Sequence, residues 1–252
     1  MADSLASIRN EFDRGGDIEL SRLIEKYSSD KRSGVQALVH RAMRRQAYIL
    51  SEREKLEKMR VFEHQYEAQG LVCGIDEAGR GPLAGPVVAG AVILPENCEI
   101  LGLNDSKQLT EKKREELYDE IQYKAIAVGV GIIGPKRIDE INILQADYEA
   151  MREAIRLLAE APAVLLNDAV TIPMTDILQV PIVHGDARSV SIAAASVIAK
   201  VTRDRMMTDL DRMYPGYGFA KNKGYGTAGH IAALKKMGPC DIHRRTFITH
   251  FV

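Results

Sequence analysis

The sequence predicts an α/β fold, in which a mixed five-stranded sheet is flanked by helices and preceded by a helical N-terminal appendage. Five short apolar runs, rich in β-branched residues and separated by Gly and Pro, follow residue 70. Apolar residues at helical spacing fill the longer stretches near the later runs, whereas no strand-like run precedes residue 70. Turns join antiparallel strands and helical crossovers join parallel ones, so both kinds of pairing are expected in one sheet.

The N-terminal region, residues 1–68, is expected to be a separate helical appendage to a main domain over residues 69–252. Its apolar residues recur at i, i+3, i+4 and i+7, as in the set Val35, Leu38, Val39 and Ala42. The end of this region is highly charged and leads to Gly70, which favours a solvated helix that stops there.

The five predicted strands cover residues 71–75, 87–94, 125–133, 164–166 and 181–183. Short turns are expected to join the first three as antiparallel neighbours. A crossover helix over 138–160 precedes the fourth strand, and a helix over 189–213, with small residues on one face, is expected to lie close against the sheet. After a glycine-rich loop at 214–226, Thr227 is expected to cap a last helix that ends at Gly238.

The composition is that of an ordinary globular protein, with 46% hydrophobic and 27% charged residues. The 34 basic residues almost balance the 35 acidic ones, so any surface for a polyanion must come from local clustering. Three cysteines without a close pair favour free thiols over disulfides or a zinc site. A cytoplasmic protein is expected, because the chain has no long apolar segment and no secretory pattern at its start.

Acidic residues follow three of the predicted strands. Asp76 and Glu77 end the first strand, Asp168 closes the fourth and Asp186 closes the fifth. Ligands gather at strand carboxyl ends in sheets with parallel strands, and a ligand set made only of oxygens suits Mg²⁺ or Mn²⁺. Two such ions would support phosphodiester hydrolysis. Asp76 and Glu77 can serve one site only if the pleat breaks at Glu77, as the glycines that follow would permit.

Several motifs in order resemble those of a known family. They are Asp-Glu-Ala-Gly-Arg-Gly-Pro at 76–82, Asp-Ser-Lys at 105–107, Gly-Asp at 185–186 with the helix that follows, and Lys-Gly-Tyr-Gly-Thr at 223–227. Over residues 70–250 the chain resembles the bacterial type 2 ribonuclease H, ribonuclease HII. The resemblance implies a ribonuclease H-like fold, a monomer, and a catalytic metal site formed by Asp76, Glu77, Asp168 and Asp186 with two Mn²⁺ or Mg²⁺ ions.

The resemblance also implies the substrate. The enzyme is expected to be an endoribonuclease that cuts the RNA strand of RNA·DNA hybrids, and single ribonucleotides in duplex DNA, on the 5′ side, leaving a 3′-hydroxyl and a 5′-phosphate. The backbone of Gly79, Arg80 and Gly81 is implied to recognise the ribose 2′-hydroxyl, which distinguishes RNA from DNA. Tyr225 is implied to stack on the following deoxyribose.

Further polar residues lie within or beside these motifs. Ser106 and Lys107 are candidates for contact with phosphate. Asp186 lies just before a helix N-terminus, which should favour its ionised, metal-binding form. Asn167 stands before Asp168 where an apolar strand residue is expected, so a polar group there must be satisfied. Three histidines are expected to be structural or solvent-facing: His184, His230 and His243.

One face of the predicted appendage helix carries Arg41, Arg44, Arg45 and Tyr48 at i, i+3, i+4 and i+7. We hypothesise that this basic face contacts the substrate backbone, and a solvated helix face is the alternative. Two alternatives to the ribonuclease function are also open. One is a DNA-cutting nuclease of the same fold, and the other is a catalytically inactive nucleic-acid-binding module.

Overall fold

The computed structural model describes residues 3–251, and the chain divides into two compact units, residues 1–57 and 58–252. The first unit contains α1 (Leu5–Arg14), α2 (Leu20–Tyr27) and most of α3 (Ser33–Met59). No strand occurs in its described residues, so the predicted helical character is confirmed. The division between the units falls within α3, and a domain boundary at residue 68 stays a prediction.

The helices of the first unit pack through their apolar faces. Ser4 caps α1, since its hydroxyl accepts a hydrogen bond from the Ser7 N–H at 3.2 Å. Phe12 of α1 and Tyr27 of α2 are buried, with ring centroids 5.9 Å apart. Of the residues predicted to form the apolar face of α3, three are buried: Val35, Val39 and Ala42.

The second unit is built on one five-stranded sheet. Its strands are β1 (Val72–Ala78), β2 (Val87–Ile93), β3 (Ala127–Ile133), β4 (Val164–Asp168) and β5 (Leu178–Ile182). They lie in the order β3-β2-β1-β4-β5, with β1–β2 and β2–β3 antiparallel and β1–β4 and β4–β5 parallel. The predicted mixed sheet is therefore confirmed, and β1 is its central strand.

Eight helices of the second unit are described: α4 (Val61–Tyr66), α5 (Glu111–Lys124), α6 (Pro135–Ile141), α7 (Ile143–Arg156), α8 (Val190–Met213), α9 (Phe219–Asn222), α10 (Ala228–Met237) and α11 (Arg245–Ile248). Thr227 caps α10 through its side chain, and α10 stops at Gly238, where φ is +76°, as the sequence predicts. No helix in the described part of the chain is long and apolar enough to cross a membrane.

The connection between β2 and β3 is longer than predicted. It contains α5 rather than a short turn. Thr110 starts this helix by accepting a hydrogen bond from the Lys113 N–H at 3.2 Å, and only Leu117 and Ile121 are buried. Because most of α5 is charged and solvent-facing, its apolar pattern is too sparse to stand out in the sequence.

The predicted crossover helix over 138–160 is two helices. Asn142 separates α6 from α7, with φ at +67°, and its side chain caps α7 by accepting from the Leu144 and Gln145 N–H groups. The predicted apolar face is largely confirmed, because Met151 is fully buried and Tyr148 and Ile155 pack against the core, whereas Leu144 is 40% exposed. Asn142 starts a new helix by capping it, and this break cannot be seen from the spacing of apolar residues alone.

Small residues let α7 lie very close to β3. A Cβ on Gly131 would fall 1.9 Å from the Ala150 carbonyl oxygen, and one on Gly129 would fall 2.0 Å from that of Ala154. On the other face of the sheet, a Cβ on Gly74 would lie 2.0 Å from the backbone of α8. The prediction that the small-residue face of α8 packs against the sheet is confirmed.

Candidate active site

Three aspartates converge at one end of the central strands. One carboxylate oxygen from each of Asp76, Asp168 and Asp186 lies within 4.8 Å of the others. Asp76 comes from β1 and Asp168 from the end of the neighbouring parallel strand β4. Asp186 lies in the short 3-10 turn Gly185–Ala187, which follows His184 in a left-handed conformation at φ +56°. Strand order and one turn therefore bring together residues that are distant in the sequence.

Asp76 is the most deeply placed of the three, with 4% of its surface exposed. Burial raises the pKa of Asp76 well above its ordinary value, and the negative charges of Glu77 and Asp168 add to this effect. Hydrogen bonds from Ser196 and from the Glu77 N–H, at 2.7 Å, oppose it. The carboxylates repel one another when all are ionised. A hard divalent cation would offset that repulsion, and the oxygen-only donors fit such an ion.

Asp168 and Asp186 are joined through the backbone. The Gly185 N–H donates to Asp168 Oδ1 at 2.7 Å, so the 3-10 turn is fixed to the end of β4. Burial, followed by the charges of Asp105 and Asp168, raises the pKa of Asp186, although Lys107 lies 3.9 Å away and opposes the shift. The sequence predicts that the helix terminus favours ionisation of Asp186, but burial outweighs that effect.

Glu77 lies on the opposite face of β1 from Asp76. The strand pairs residue for residue with β2 from Cys73 to Ala78, so the pleat continues through Glu77. Glu77 Oε1 is 3.6 Å from Arg80 Nη1. Burial raises the pKa of Glu77, and the Arg80 charge opposes this. The charge of Asp168 also raises the pKa of Glu77 and that of Lys107 lowers it, so the Glu77 carboxylate nevertheless lies near the acidic cluster. Glu77 is not in the group of three aspartates, and its role as a metal ligand stays a prediction.

Asp147 is an acidic residue near this site that the sequence reasoning missed. It is fully buried on α7, and its Oδ2 lies 3.5 Å from Arg80 Nε, while neither carboxylate oxygen has a hydrogen-bond partner among the described residues. Burial and then the charge of Glu77 raise the pKa of Asp147 to about 8. The sequence contains one indication of this burial, because Asp147 lies four residues before the apolar Met151 and therefore on the same face of the helix.

The Gly79–Gly81 turn lies directly after these carboxylates. Gly79 has φ +97°, and a Cβ there would fall 2.0 Å from Nε of the buried Arg203, so only glycine fits. A Cβ on Gly81 would lie 3.9 Å from the ring of Tyr225, whose surface is 45% exposed. The structure thus places the predicted 2′-hydroxyl reader and the predicted stacking residue side by side.

Ser106 and Lys107, both candidates for phosphate contact, are placed differently. Ser106 is buried, and its Oγ lies 2.8 Å from that of Ser196, which in turn hydrogen-bonds Asp76. The Lys107 side chain is 76% exposed at the edge of the acidic cluster. Partial desolvation lowers the pKa of Lys107, but the carboxylates, Asp76 and Asp186 foremost, outweigh it and raise the pKa. The roles of both residues in substrate binding stay predictions.

Asn167, the polar residue beside Asp168, is buried inside the sheet. Its side-chain amide donates to the Val170 carbonyl at 3.2 Å and to Gln179 Oε1 at 2.8 Å. Asn167 Oδ1 has no hydrogen-bond partner among the described residues. The amide therefore links β4 to β5 and to the loop between them, and Asp168 keeps its place at the strand end.

The family model for ribonuclease HII matches residues 73–250, and the one for the ribonuclease HII N-terminal domain matches residues 4–67. The chain belongs to the ribonuclease HII family. It is a nuclease with ribonuclease H activity that acts on nucleic acid. The divalent-cation chemistry inferred from the three aspartates is consistent with that activity.

Individual ribonuclease HII proteins match nearly the whole chain. The protein from Lachnoclostridium phytofermentans is 56% identical over 97% of this chain and 96% of its own length. The protein from Bacillus subtilis is 53% identical over 89% of this chain and 88% of its own. Among solved structures, ribonuclease H2 from Pyrococcus horikoshii OT3 is 33% identical, covers 70% of this chain and 93% of that one, and has a TM-score of 0.59.

The histidines of this ribonuclease HII agree with the expectation of structural or solvent-facing roles. His184 is exposed, whereas His230 and His243 are almost completely buried and face each other with ring centroids 5.2 Å apart. Burial, followed by the charge of His230, lowers the pKa of His243 to about 4, so this ring is neutral at physiological pH.

Proposed function

We propose that the enzyme cleaves the RNA strand of RNA·DNA hybrids and single ribonucleotides embedded in duplex DNA. The cut falls on the 5′ side of a ribonucleotide and leaves a 3′-hydroxyl and a 5′-phosphate. One observation supports this most directly: the Gly79–Gly81 turn continues from the strand that carries Asp76, and Tyr225 lies against it. If the turn binds the ribose and the adjacent Asp76 belongs to the cleavage centre, one stretch of backbone fixes the position of the cut relative to the 2′-hydroxyl.

The metal site in this proposal holds two divalent cations, Mg²⁺ or Mn²⁺. The three aspartates supply carboxylate oxygens within 4.8 Å of one another. Glu77 is the proposed fourth ligand, because its carboxylate interacts electrostatically with Asp168 even though the pleat does not break. When bound, two such ions activate a water and stabilise the leaving oxygen of the phosphodiester. The high pKa of the buried Asp76 means that cation binding and loss of its proton are coupled.

The protein's own groups would bind and orient the substrate. The exposed Lys107 ammonium, 3.9 Å from Asp186, is available to contact the phosphate next to the cut. The Gly79–Gly81 backbone would hydrogen-bond the 2′-hydroxyl, because glycines permit close approach of the main chain to a sugar. The half-exposed Tyr225 ring would stack on the deoxyribose that follows, and it thereby reports the RNA-to-DNA junction.

Three duplexes with the same base sequence test this function. One carries a single ribonucleotide, one carries four, and one is all DNA, and each is incubated with Mg²⁺ or with Mn²⁺. We expect cuts on the 5′ side of ribonucleotides only, and none by Asp76→Asn. Cleavage of the all-DNA duplex, together with an uncut ribonucleotide in the single-ribonucleotide duplex, would favour a DNA-cutting nuclease. Binding without cleavage in either metal would favour an inactive binding module.

We also propose that the N-terminal unit adds sequence-independent affinity for the substrate backbone, and that the enzyme acts as a monomer. Arg41, Arg44 and Tyr48 are exposed on α3, as this proposal requires. Arg45 belongs to the same face, but its Nε lies 2.6 Å from Asp17, so part of its charge is already paired. Arg41 and Arg44 therefore carry most of the proposed phosphate contact.

A further inference from the structure

The segment Cys240–Arg244 runs beside the loop that follows the Gly79–Gly81 turn. The Gly85 N–H donates to the Ile242 carbonyl at 2.9 Å, and the Arg244 N–H donates to the Leu83 carbonyl at 2.9 Å. Ala84 and His243 form the bridge between these two bonds. This pairing places two adjacent side chains, those of His243 and Arg244, next to the elements that are proposed to read the substrate.

Arg244 holds the carbonyl side of the Gly79–Gly81 turn. Its guanidinium is fully buried and donates to Gly79 O at 2.6 Å, to Arg80 O at 2.8 Å and to Gly85 O at 3.0 Å. Guanidinium nitrogens are arranged in a rigid planar fork, so three such bonds fix the orientation of the peptide groups in the turn. The turn is positioned by this side chain and not only by its own glycines.

His243 reaches Tyr225 through His230. His243 Nε2 lies 3.1 Å from His230 Nε2, and His230 Nδ1 lies 2.9 Å from the Tyr225 carbonyl oxygen. At the other end, the Cys240 N–H donates to His243 Nδ1 at 3.0 Å. Both rings are buried, and these three bonds form one continuous chain from Cys240 to the backbone of Tyr225.

Only one arrangement of protons satisfies this chain when both rings are neutral. The Cys240 N–H can only donate, so His243 Nδ1 accepts and the His243 proton is on Nε2. That proton is donated to His230 Nε2, which leaves the His230 proton on Nδ1, where it is donated to the Tyr225 carbonyl. Each ring has a defined tautomer, and the Tyr225 backbone is held at the end of a directed series of hydrogen bonds.

We propose that His243 and Arg244 are positioning residues that fix the Gly79–Gly81 turn and Tyr225 relative to each other. Arg244 holds the Gly79–Gly81 turn and His243, through His230, holds Tyr225. This inference rests on the proposed roles of the turn and of Tyr225. It adds that the spacing between them is set by two consecutive residues of the C-terminal segment, neither of which touches substrate.

The test measures junction selectivity, the ratio of kcat/KM for a duplex with one ribonucleotide to kcat/KM for a continuous RNA·DNA hybrid. His243→Asn is too short to reach His230, whereas His243→Gln places an amide nitrogen near the position of Nε2 and can still donate. We expect His243→Asn to lower selectivity about tenfold, mainly through KM, because aromatic stacking contributes a factor of about 5 to 150 to nucleic-acid binding. His243→Gln should restore most of it.

A double-mutant cycle separates positioning from general damage. If His243 acts through Tyr225, His243→Asn should cause no further loss of selectivity in a Tyr225→Ala background. Full, independent losses from the two substitutions would overturn the proposal. The proposal would also be overturned if His243→Asn had the same junction selectivity as the wild-type enzyme while Tyr225→Ala had lower selectivity. That result would leave the proposed function intact. Unchanged selectivity in Tyr225→Ala would instead remove both the junction-reading role and this inference.

Arg244→Lys tests whether Arg244 positions the Gly79–Gly81 turn. If His243→Asn does not fold, this variant alone decides the proposal. Lysine keeps the charge but offers a single nitrogen, which cannot hold the carbonyls of Gly79 and Arg80 together. We expect KM for the single-ribonucleotide duplex to rise about tenfold, with a smaller change in kcat, since a tenfold change corresponds to the loss of one hydrogen bond. Arg245→Lys, at an exposed neighbouring position, is the matched control. Equal KM values for the two variants would overturn the proposal.

Discussion

Gly79 is placed where no other residue fits. At φ +97° any side chain is strained, and a Cβ would fall 2.0 Å from Arg203 Nε and 2.8 Å from the Pro86 carbonyl oxygen. We expect Gly79→Ala to lose more than about 2 kcal/mol of stability, since both strain and a clash with a buried side chain act together. Urea denaturation measures the loss, and cleavage of the single-ribonucleotide duplex should fall in parallel.

A matched control for Gly79→Ala is Gly134→Ala. Gly134 has an ordinary negative φ of −75°, and no atom lies within 4 Å of a Cβ built there. Gly134 is the N-cap of α6, where Gly is preferred over Ala, so this control should lose at most about 1 kcal/mol, clearly less than Gly79→Ala. Identical denaturation midpoints for the two variants would contradict the steric account of the turn.

Asp147 makes the folded protein less stable as pH rises. Its pKa is raised from an ordinary 3.8 to about 8, so the folded state retains a proton that the unfolded chain loses. Between those two values the stability falls with increasing pH. Asp147→Asn removes the titrating group, so without metal the variant should gain little at about pH 4 and more than about 1 kcal/mol at about pH 8.

Urea denaturation of EDTA-treated protein across this pH range measures the effect of Asp147→Asn. Asp119→Asn is the matched control, because it makes the same chemical change at a side chain that is 79% exposed. A gain for Asp147→Asn that is equal at both ends of the range would show that the buried carboxyl does not titrate there.

These residues also show what the sequence can predict about the site. Asp76, Asp168 and Asp186 could be placed near one another, because strand carboxyl ends share an edge in a sheet with parallel strands. The face occupied by Glu77 depends on whether the pleat breaks, and the buried position of Asp147 depends on which side of α7 meets the sheet. Both facts are set by packing between elements and not by any local pattern.

At the scale of elements, the strands were predictable and the helices between them less so. β1 to β4 largely coincide with the apolar runs that predict them, whereas β5 (Leu178–Ile182) begins three residues before the predicted run 181–183, includes Gln179 and is buried at only one residue. In α7, the large apolar residues predicted the buried side of the helix, but they did not reveal that alanines on that side contact Gly129 and Gly131. Close approach of the two backbones excludes large side chains from that contact, so Met151 and its large apolar neighbours pack around it.

The basic face of α3 gives a prediction about salt dependence. Replacing both Arg41 and Arg44 with Ala should weaken binding of hybrid duplex and reduce the slope of log K against log salt by about 1 for each phosphate that is no longer neutralised. The double variant Arg9→Ala and Arg14→Ala on α1 removes the same charge from exposed positions and is the control. Equal slopes for both double variants would mean that the α3 face is merely solvated.

At the scale of the whole molecule, two buried arginines connect the segments that surround the site. Arg203 donates to the carbonyls of Pro86, Ala84 and Lys223. Arg244 donates to those of Gly79, Arg80 and Gly85. Burial lowers the pKa of Arg244 to about 9, which measures the cost of keeping a charge among neutral carbonyls. The fold therefore accepts unfavourable burial of both acids and bases to shape one region.

The acidic cluster makes a corresponding prediction for metal binding and stability. Burial raises the pKa of Asp76 and of Asp186, so protons and cations compete for the same oxygens. A cation that binds only the folded state should add about 2.7 kcal/mol at ~100 times its Kd. We expect Mg²⁺ or Mn²⁺ to raise the thermal midpoint, and to raise it more at about pH 8 than at about pH 5, where protons occupy the cluster.

Asp76→Asn distinguishes cation binding at this cluster from binding elsewhere. The substitution keeps the shape of the side chain but removes a buried charge, so the metal-free variant should be at least as stable as the wild-type protein at about pH 8. It also removes a ligand, so its midpoint should respond little to Mg²⁺ or Mn²⁺. A cation-dependent rise as large in Asp76→Asn as in the wild-type protein would place the stabilising ion outside the three aspartates. The combination of higher metal-free stability with abolished cleavage would instead show that the fold tolerates this repulsion because the bound ions relieve it.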